Sequence, residues 1–148
     1  TMIRMVLALV ILPHGLQKAF GTFGGYGFED SMHYFTDTVG VPWIVGFLVI
    51  IAESVGMVLL AVGLLSRLVA ASLVIVMVGA ASQMIGNGFF MNWFGNQAGE
   101  GIEFFILVIA MAVQVISKGG GKWSLDGLLF KILNKNTSVY DSKLEPTV

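Results

Sequence analysis

The sequence predicts an all-α membrane protein: a four-transmembrane-helix bundle, N-in/C-in, with a short cytoplasmic C-terminal segment. Three observations carry that prediction. Of 148 residues, 56% are hydrophobic and only 11% are charged, with a mean hydropathy of +0.86. A soluble domain carries about 25% charged residues because water must wet its surface, so the missing polar surface here implies a lipid-facing exterior. Next, four apolar runs approach the roughly 20 residues that a helix needs to cross a bilayer. Finally, the basic residues gather at one end of those runs.

The first run, residues 3–20, carries His14 and Lys18 in its second half. It begins at once, and no small-x-small site follows it, so a cleaved leader is not expected. The second run, residues 43–65, starts at Trp43 and is interrupted only by Glu53. The third, residues 68–85, has no charge. The fourth, residues 101–117, is the shortest and has Glu103 near its start. Their lengths are helical; barrel strands would span about 10 residues and alternate strictly.

Between the first two runs lies a glycine- and aromatic-rich stretch from Gly21 to Pro42, with Glu29, Asp30, His33 and Asp37. A second aromatic stretch runs from Gly86 to Gly99. Both suit an interfacial loop, where Trp and Tyr prefer to sit. Runs two and three meet in a tight hairpin at Leu65-Ser66-Arg67. Residues 1–127 therefore read as one membrane domain and 128–148 as a polar cytoplasmic tail, with a short amphipathic helix around Leu125 to Leu133. Gly119-Gly120-Gly121 reads as a helix terminator. No internal repeat stands out.

Arg4, Arg67, Lys118, Lys122, Lys131, Lys135 and Lys143 fall on one side of the runs, and only Lys18 falls toward the other. The positive-inside rule puts the richer side, with both termini, in the cytoplasm.

With those basic residues as depth markers and a rise of about 1.5 Å per residue, Lys18 lies roughly 21 Å above Arg4, and Glu53 roughly 21 Å above Arg67. Glu103 lies roughly 22 Å above Lys118, and Gln83 roughly 24 Å above Arg67. Four polar side chains, one per helix, are thus expected at one height in the outer half of the bilayer. His14 stacks one turn below Lys18. Gly46, Glu53 and Leu60, with Gly56 beside them, form one stripe of the second helix. Ser72, Gly79 and Gln83 do so on the third, and Glu103 with Gln114 on the fourth. These stripes are expected to face inward, because charge in a bilayer costs a few kcal/mol unless it is paired. Lys18 is expected to pair with Glu53 or Glu103.

Each feature also has a plainer reading. Lys18 can snorkel to the outer interface, Glu103 can simply favour its helix dipole, and Glu53 with Lys18 can be a buried structural pair. The aromatic stretch from Phe89 to Phe94 reads chiefly as a membrane-surface lid. Without cysteine, the chain offers no disulfide, iron–sulfur or thiol redox chemistry. Its two histidines form no Glu-x-x-His di-iron motif, and no bis-histidine haem or metal site is expected. Gly24-Gly25-Tyr26-Gly27 lacks the Lys-Ser/Thr of a phosphate loop. A net charge of -1 argues against nucleic acid.

Taken in order, several short motifs resemble the DoxX family of four-helix membrane proteins. They are Arg4, His14-Gly15-x-x-Lys18, Gly40-Val41-Pro42, Ala52-Glu53-Ser54-Val55-Gly56 and Gly63-Leu64-Leu65-Ser66-Arg67-Leu68-Val69-Ala70, then Glu103 and Gly121-Lys122-Trp123-Ser124-Leu125-Asp126. The resemblance covers about residues 4–127. It implies a protein of the prokaryotic cytoplasmic membrane, in a functionally mixed family that includes subunits of quinone-linked oxidoreductases. The expectation is therefore a quinone-interacting oxidoreductase subunit, with His14, Lys18, Glu53, Gln83 and Glu103 around the quinone head group. Membrane lipids and further subunits, or a second copy of the chain, are its expected partners. A non-catalytic structural subunit is the alternative. A small-solute or proton transporter is a weaker one, because neither a discontinuous helix nor a repeat is evident.

Overall fold

The computed structural model describes residues 1–144, with side chains through residue 134. Among the described residues the structure is helical, without strands. Helix α1 spans Met2–Phe20 and stops at Gly21, whose φ of 70° lets its N–H reach Gln17 O. Helix α2, Gly27–His33, continues into a π-helical turn at Tyr34–Thr38. Helix α3, Trp43–Glu53, follows Pro42, and α4 is Val55–Val62. Helix α5 is Ser66–Met84, α6 is Glu103–Lys118 and α7 is Leu125–Leu144.

Helix α1 packs between α3/α4 on one side and α6 on the other, and α5 closes the square between α6 and α3/α4. The core along the axis is Leu7, Ile11, Met57, Leu60, Leu73, Val108 and Ala112, each at most 1% exposed. The outside is equally apolar: Leu9 is 75% exposed, Ile75 74% and Leu68 65%. Contiguous exposed apolar surface of this kind needs a non-aqueous neighbour. Three helical stretches, Met2–Phe20, Trp43–Val62 and Ser66–Asn87, are long and apolar enough to cross a membrane. Helix α6, at 16 residues, is shorter.

Two expectations need correction. The second apolar run is not one even helix. Ser54, with φ −102° and ψ −80°, interrupts it, and its hydroxyl donates back to Ile50 O at 2.5 Å. A serine that bonds back to the preceding turn bends a helix in this way. The Gly21–Pro42 stretch is largely helical rather than loop, because Met32 and Phe35 supply a helical apolar face; Phe35 packs where a Cβ on Gly46 would lie only 2.9 Å from it. The proposed division at 127/128 falls inside α7.

The inward faces divide similarly. On α3/α4, Gly46, Glu53, Gly56 and Leu60 are all buried, as their spacing predicts. On α5 the buried face is instead Ser66, Val69, Ala70, Leu73 and Met77, while Gly79 and Gln83 are exposed. Ser72 and Ser82 satisfy their hydroxyls on their own helix, at Val69 O and Gly79 O, so polarity does not oblige this stripe to face inward. Gln114 on α6 is also exposed.

At the end of the bundle that holds the α1 start and the α4–α5 turn, distant segments are tied together. Arg4, 2% exposed, donates from Nη1 to Leu60 O (3.0 Å) and from Nη2 to Trp123 O (2.7 Å). Gly63 ends α4 with φ 76°, and a Cβ there would fall 1.9 Å from Arg4 Nη1, so only glycine fits. Asp126 accepts the N–H groups of Leu65 (2.8 Å) and Ser66 (2.9 Å), while its own N–H donates to Gly63 O. This carboxylate, 60 residues along the chain from Ser66, serves as the cap of α5.

Burial alone would push the Asp126 carboxyl up, but the Ser66 and Leu65 amides and the Arg4 charge outweigh it. Its pKa therefore lies below the usual carboxylate range. The nearby Ser66 hydroxyl adds to this without reaching hydrogen-bond geometry. A depressed carboxyl contributes stability above its ordinary value of about 3.9, and that contribution is lost as the pH falls through the lower folded value. Asp126→Ala should cost about 1–2 kcal/mol, the range for losing a helix cap. In detergent, the melting temperature of the wild type should fall below about pH 4, with a smaller fall in Asp126→Asn. Parallel melting curves for the two proteins across that range would refute the cap.

Candidate functional site

The site is built on the break in the second run. Helix α1 crosses it at Gly15: a Cβ there would lie 2.1 Å from Glu53 O and 2.5 Å from Ser54 N. The absence of a side chain at Gly15 thus allows α1 to rest directly on the backbone at the α3–α4 break. One turn further along α1, the ammonium of Lys18 reaches the carboxylate Oε2 of Glu53 and forms an ion pair with it. Glu53 is deeply buried, its side chain 5% exposed, whereas Lys18 keeps 30% of its own. The pair therefore has a closed end and an open one. Of the two partners expected for Lys18, the structure pairs it with Glu53.

The other three predicted residues are placed differently. His14, one turn below Lys18, is exposed, and its ring lies 6.1 Å from that of Phe104 on α6. Glu103 makes no ion pair with Lys18; its Oε2 accepts the Met91 N–H at 3.2 Å, and its own N–H donates to Phe89 O. It thereby ties the aromatic stretch to the start of α6. Gln83 is on the exposed face of α5 and forms no hydrogen bond among the described residues. The expected four-residue layer is thus reduced to Lys18 and Glu53, with His14 on the adjacent outer surface. The layer fails on α5 and α6 for separate reasons: on α5 no charge lies at the level of Gln83, and on α6 the Met91 N–H of the neighbouring aromatic stretch takes the Glu103 carboxylate.

Two clefts lie elsewhere. One of about 390 Å³ is lined by Phe28, Glu29, Met32, His33, Thr36 and Trp43. Beside it Trp43 stacks on Phe47 with ring centroids 5.3 Å apart, and His33 Nδ1 meets Asp37 at 3.2 Å. The other, of about 230 Å³, is at the Arg4 end and includes Gln114 and Lys118. Neither is lined by His14, Lys18, Glu53, Gln83 or Glu103. Among the described residues, no group of three or more His, Asp or Glu side chains could hold a metal ion.

What sequence reasoning missed was the use of Gly15 and Ser54. The readable signals were a glycine one turn before Lys18 and a serine directly after the only charge of an apolar run. A glycine with no room for a methyl group marks a close helix approach.

Helices with lipid-suited exteriors, packed in a square, with a Lys–Glu pair that is buried at its glutamate, define a helical membrane protein. The chain belongs to the DoxX family, whose family model matches residues 1–93. The match takes in Gly15, Lys18, Glu53 and Ser54, and it ends before Glu103. No curated protein and no solved structure matches the chain.

Proposed function

We propose that this protein is a four-span, multi-pass subunit of a quinone-interacting oxidoreductase in a prokaryotic cytoplasmic (inner) membrane, with both termini cytoplasmic. The fourth span would be α6, whose Ile106, Leu107 and Val113 turn apolar surface outward beside α5. The orientation rests on Arg67, Lys118, Lys122 and Lys131, which follow the Arg4 end of the bundle.

The observation that carries the functional reading is the Lys18–Glu53 pair, buried at Glu53 and open at Lys18. Ionisable groups inside a bilayer are costly, and a partly open pair is more than packing requires. Lys18 Nζ and a ring nitrogen of the exposed His14 are donors that fit a carbonyl oxygen on the lateral surface between α1 and α6. Phe104 offers an apolar flank for the ring and tail. A bound quinone supplies two-electron chemistry, accepting two electrons from a partner subunit and two protons on reduction. Glu53 holds the Lys18 ammonium in place and offers a carboxylate through which a proton passes toward it. Glu103 and Gln83 take no part.

Quinone binding to the purified protein in detergent tests this, measured as quenching of tryptophan fluorescence by a short-chain quinone. Lys18→Gln and Glu53→Gln should each weaken binding by about tenfold, the worth of one charge-assisted hydrogen bond. Absence of binding in the wild type, or binding in both variants as tight as in the wild type, defeats the reading. In that event the pair is structural, as a subunit of a larger complex would use it.

A further inference from the structure

The cleft at the Arg4 end serves neither the knot of hydrogen bonds nor the Lys18–Glu53 site. Its volume is about 230 Å³, and its lining includes Met2, Arg4, Gln114, Lys118 and Gly119. The Arg67 guanidinium stands beside it, its Nε 3.5 Å from where a Cβ on Gly119 would lie. Arg4 and Lys118 thus line the opening, and Arg67 of α5 stands at its Gly119 edge. Neither Arg67 nor Lys118 forms a hydrogen bond or ion pair among the described residues. The buried Arg4 also keeps an Nε–H with no acceptor. Among the described residues, the nearby carboxylate, Asp126, is committed to the Leu65 and Ser66 amides.

The same opening is apolar along one flank, where Met2 is 81% exposed and Ile3 38%. Cationic groups beside apolar surface fit an amphiphile rather than a free anion. The end of a membrane bundle is also where phosphate groups of lipids are found.

We infer that Arg67 and Lys118 form a headgroup site for an anionic phospholipid, its phosphate between the two basic side chains and its acyl chains along Met2 and Ile3. Gln114 supplies an uncharged donor to the glycerol or phosphate oxygens.

The test uses the full chain in mixed micelles with equal phosphatidylglycerol and phosphatidylcholine, with retained lipid counted by native mass spectrometry. Each basic residue near a lipid surface contributes about fivefold in affinity, so phosphatidylglycerol should be retained about 25-fold over phosphatidylcholine through Arg67 and Lys118. Arg67→Gln with Lys118→Gln should abolish that preference. Both side chains are exposed and unbonded, so the melting temperature should not move. Lys131→Gln on α7 should leave the preference intact. Equal retention of the two lipids by the wild type would overturn the proposal. So would an unchanged preference in the double variant, or an equal loss in Lys131→Gln, which would mean diffuse attraction. Displacement of the lipid by millimolar inorganic phosphate would point to a free-anion site and overturn it too.

Discussion

Lys18→Met is expected to destabilise the folded protein by roughly 3 kcal/mol, the lower end of the range for removing one partner of a buried pair. The reason is the asymmetry of burial. Lys18 retains 30% of its side-chain exposure, whereas Glu53 retains 5%. Removing the lysine leaves a carboxylate in the core without its cation. Removing the charge from the glutamate is milder, because the Lys18 ammonium, on its long stem, can turn to the outer interface. Thermal unfolding in detergent should therefore rank the proteins with wild type highest, Glu53→Gln next and Lys18→Met lowest. The double variant Lys18→Met/Glu53→Leu should return close to wild type, since well-packed apolar residues commonly replace a buried pair without loss. It should nevertheless lose quinone binding. Recovery of stability without recovery of binding separates the pair's packing role from its chemical one. A Lys18→Met protein that melts with the wild type would show that the pair is not held as described.

Gly15→Ala is the second large effect. The added Cβ would lie 2.1 Å from Glu53 O and 2.3 Å from Glu53 C. Both atoms are backbone, so no flexible side chain can move aside, and α1 must separate from the α3–α4 break. Overpacking a tight site costs about 1–3 kcal/mol and occasionally more, and a backbone-on-backbone contact belongs at the upper end. The separation also draws Lys18 away from Glu53, so stability and quinone affinity should fall together. Gly79→Ala is the control. It lies mid-helix on α5 with open space around it, and there alanine should be neutral or stabilise by up to about 1 kcal/mol through helix propensity alone. The comparison is read from melting temperatures and from the folded fraction on size-exclusion chromatography. Equal behaviour of the two variants would mean that α1 does not rest on Glu53.

How much of the site was legible follows from where charge occurs. Glu53 is the sole charge in its apolar run, and the cost of exposing it to lipid sets the rotation of α3/α4 before any packing is known. The same spacing of about 14 residues from the basic markers puts Lys18 at its level. On α5 the only charge is Arg67 in the first turn, so no charge within the apolar stretch sets the rotation. Serine hydroxyls that bond back to their own helix remove even the weaker polar constraint, so the stripe through Gln83 turned outward. Glu103 was misplaced for a different reason. Its level was read along its own helix, whereas its partner, the Met91 N–H, belongs to a stretch whose path the sequence leaves open.

Composition and the lengths of the apolar runs were enough to establish a helical membrane protein, because lipid exposure is a demand on residue totals and holds whatever the packing. Short motifs, each weak but ordered along the chain, were enough for the family. Tertiary structure alone decided which backbone Gly15 touches and that Arg4 reaches Trp123 O across 119 residues. These are contacts between segments distant in sequence. Each depends on helices arriving at one place in three dimensions, and periodicity within a helix carries its facing but not its neighbour.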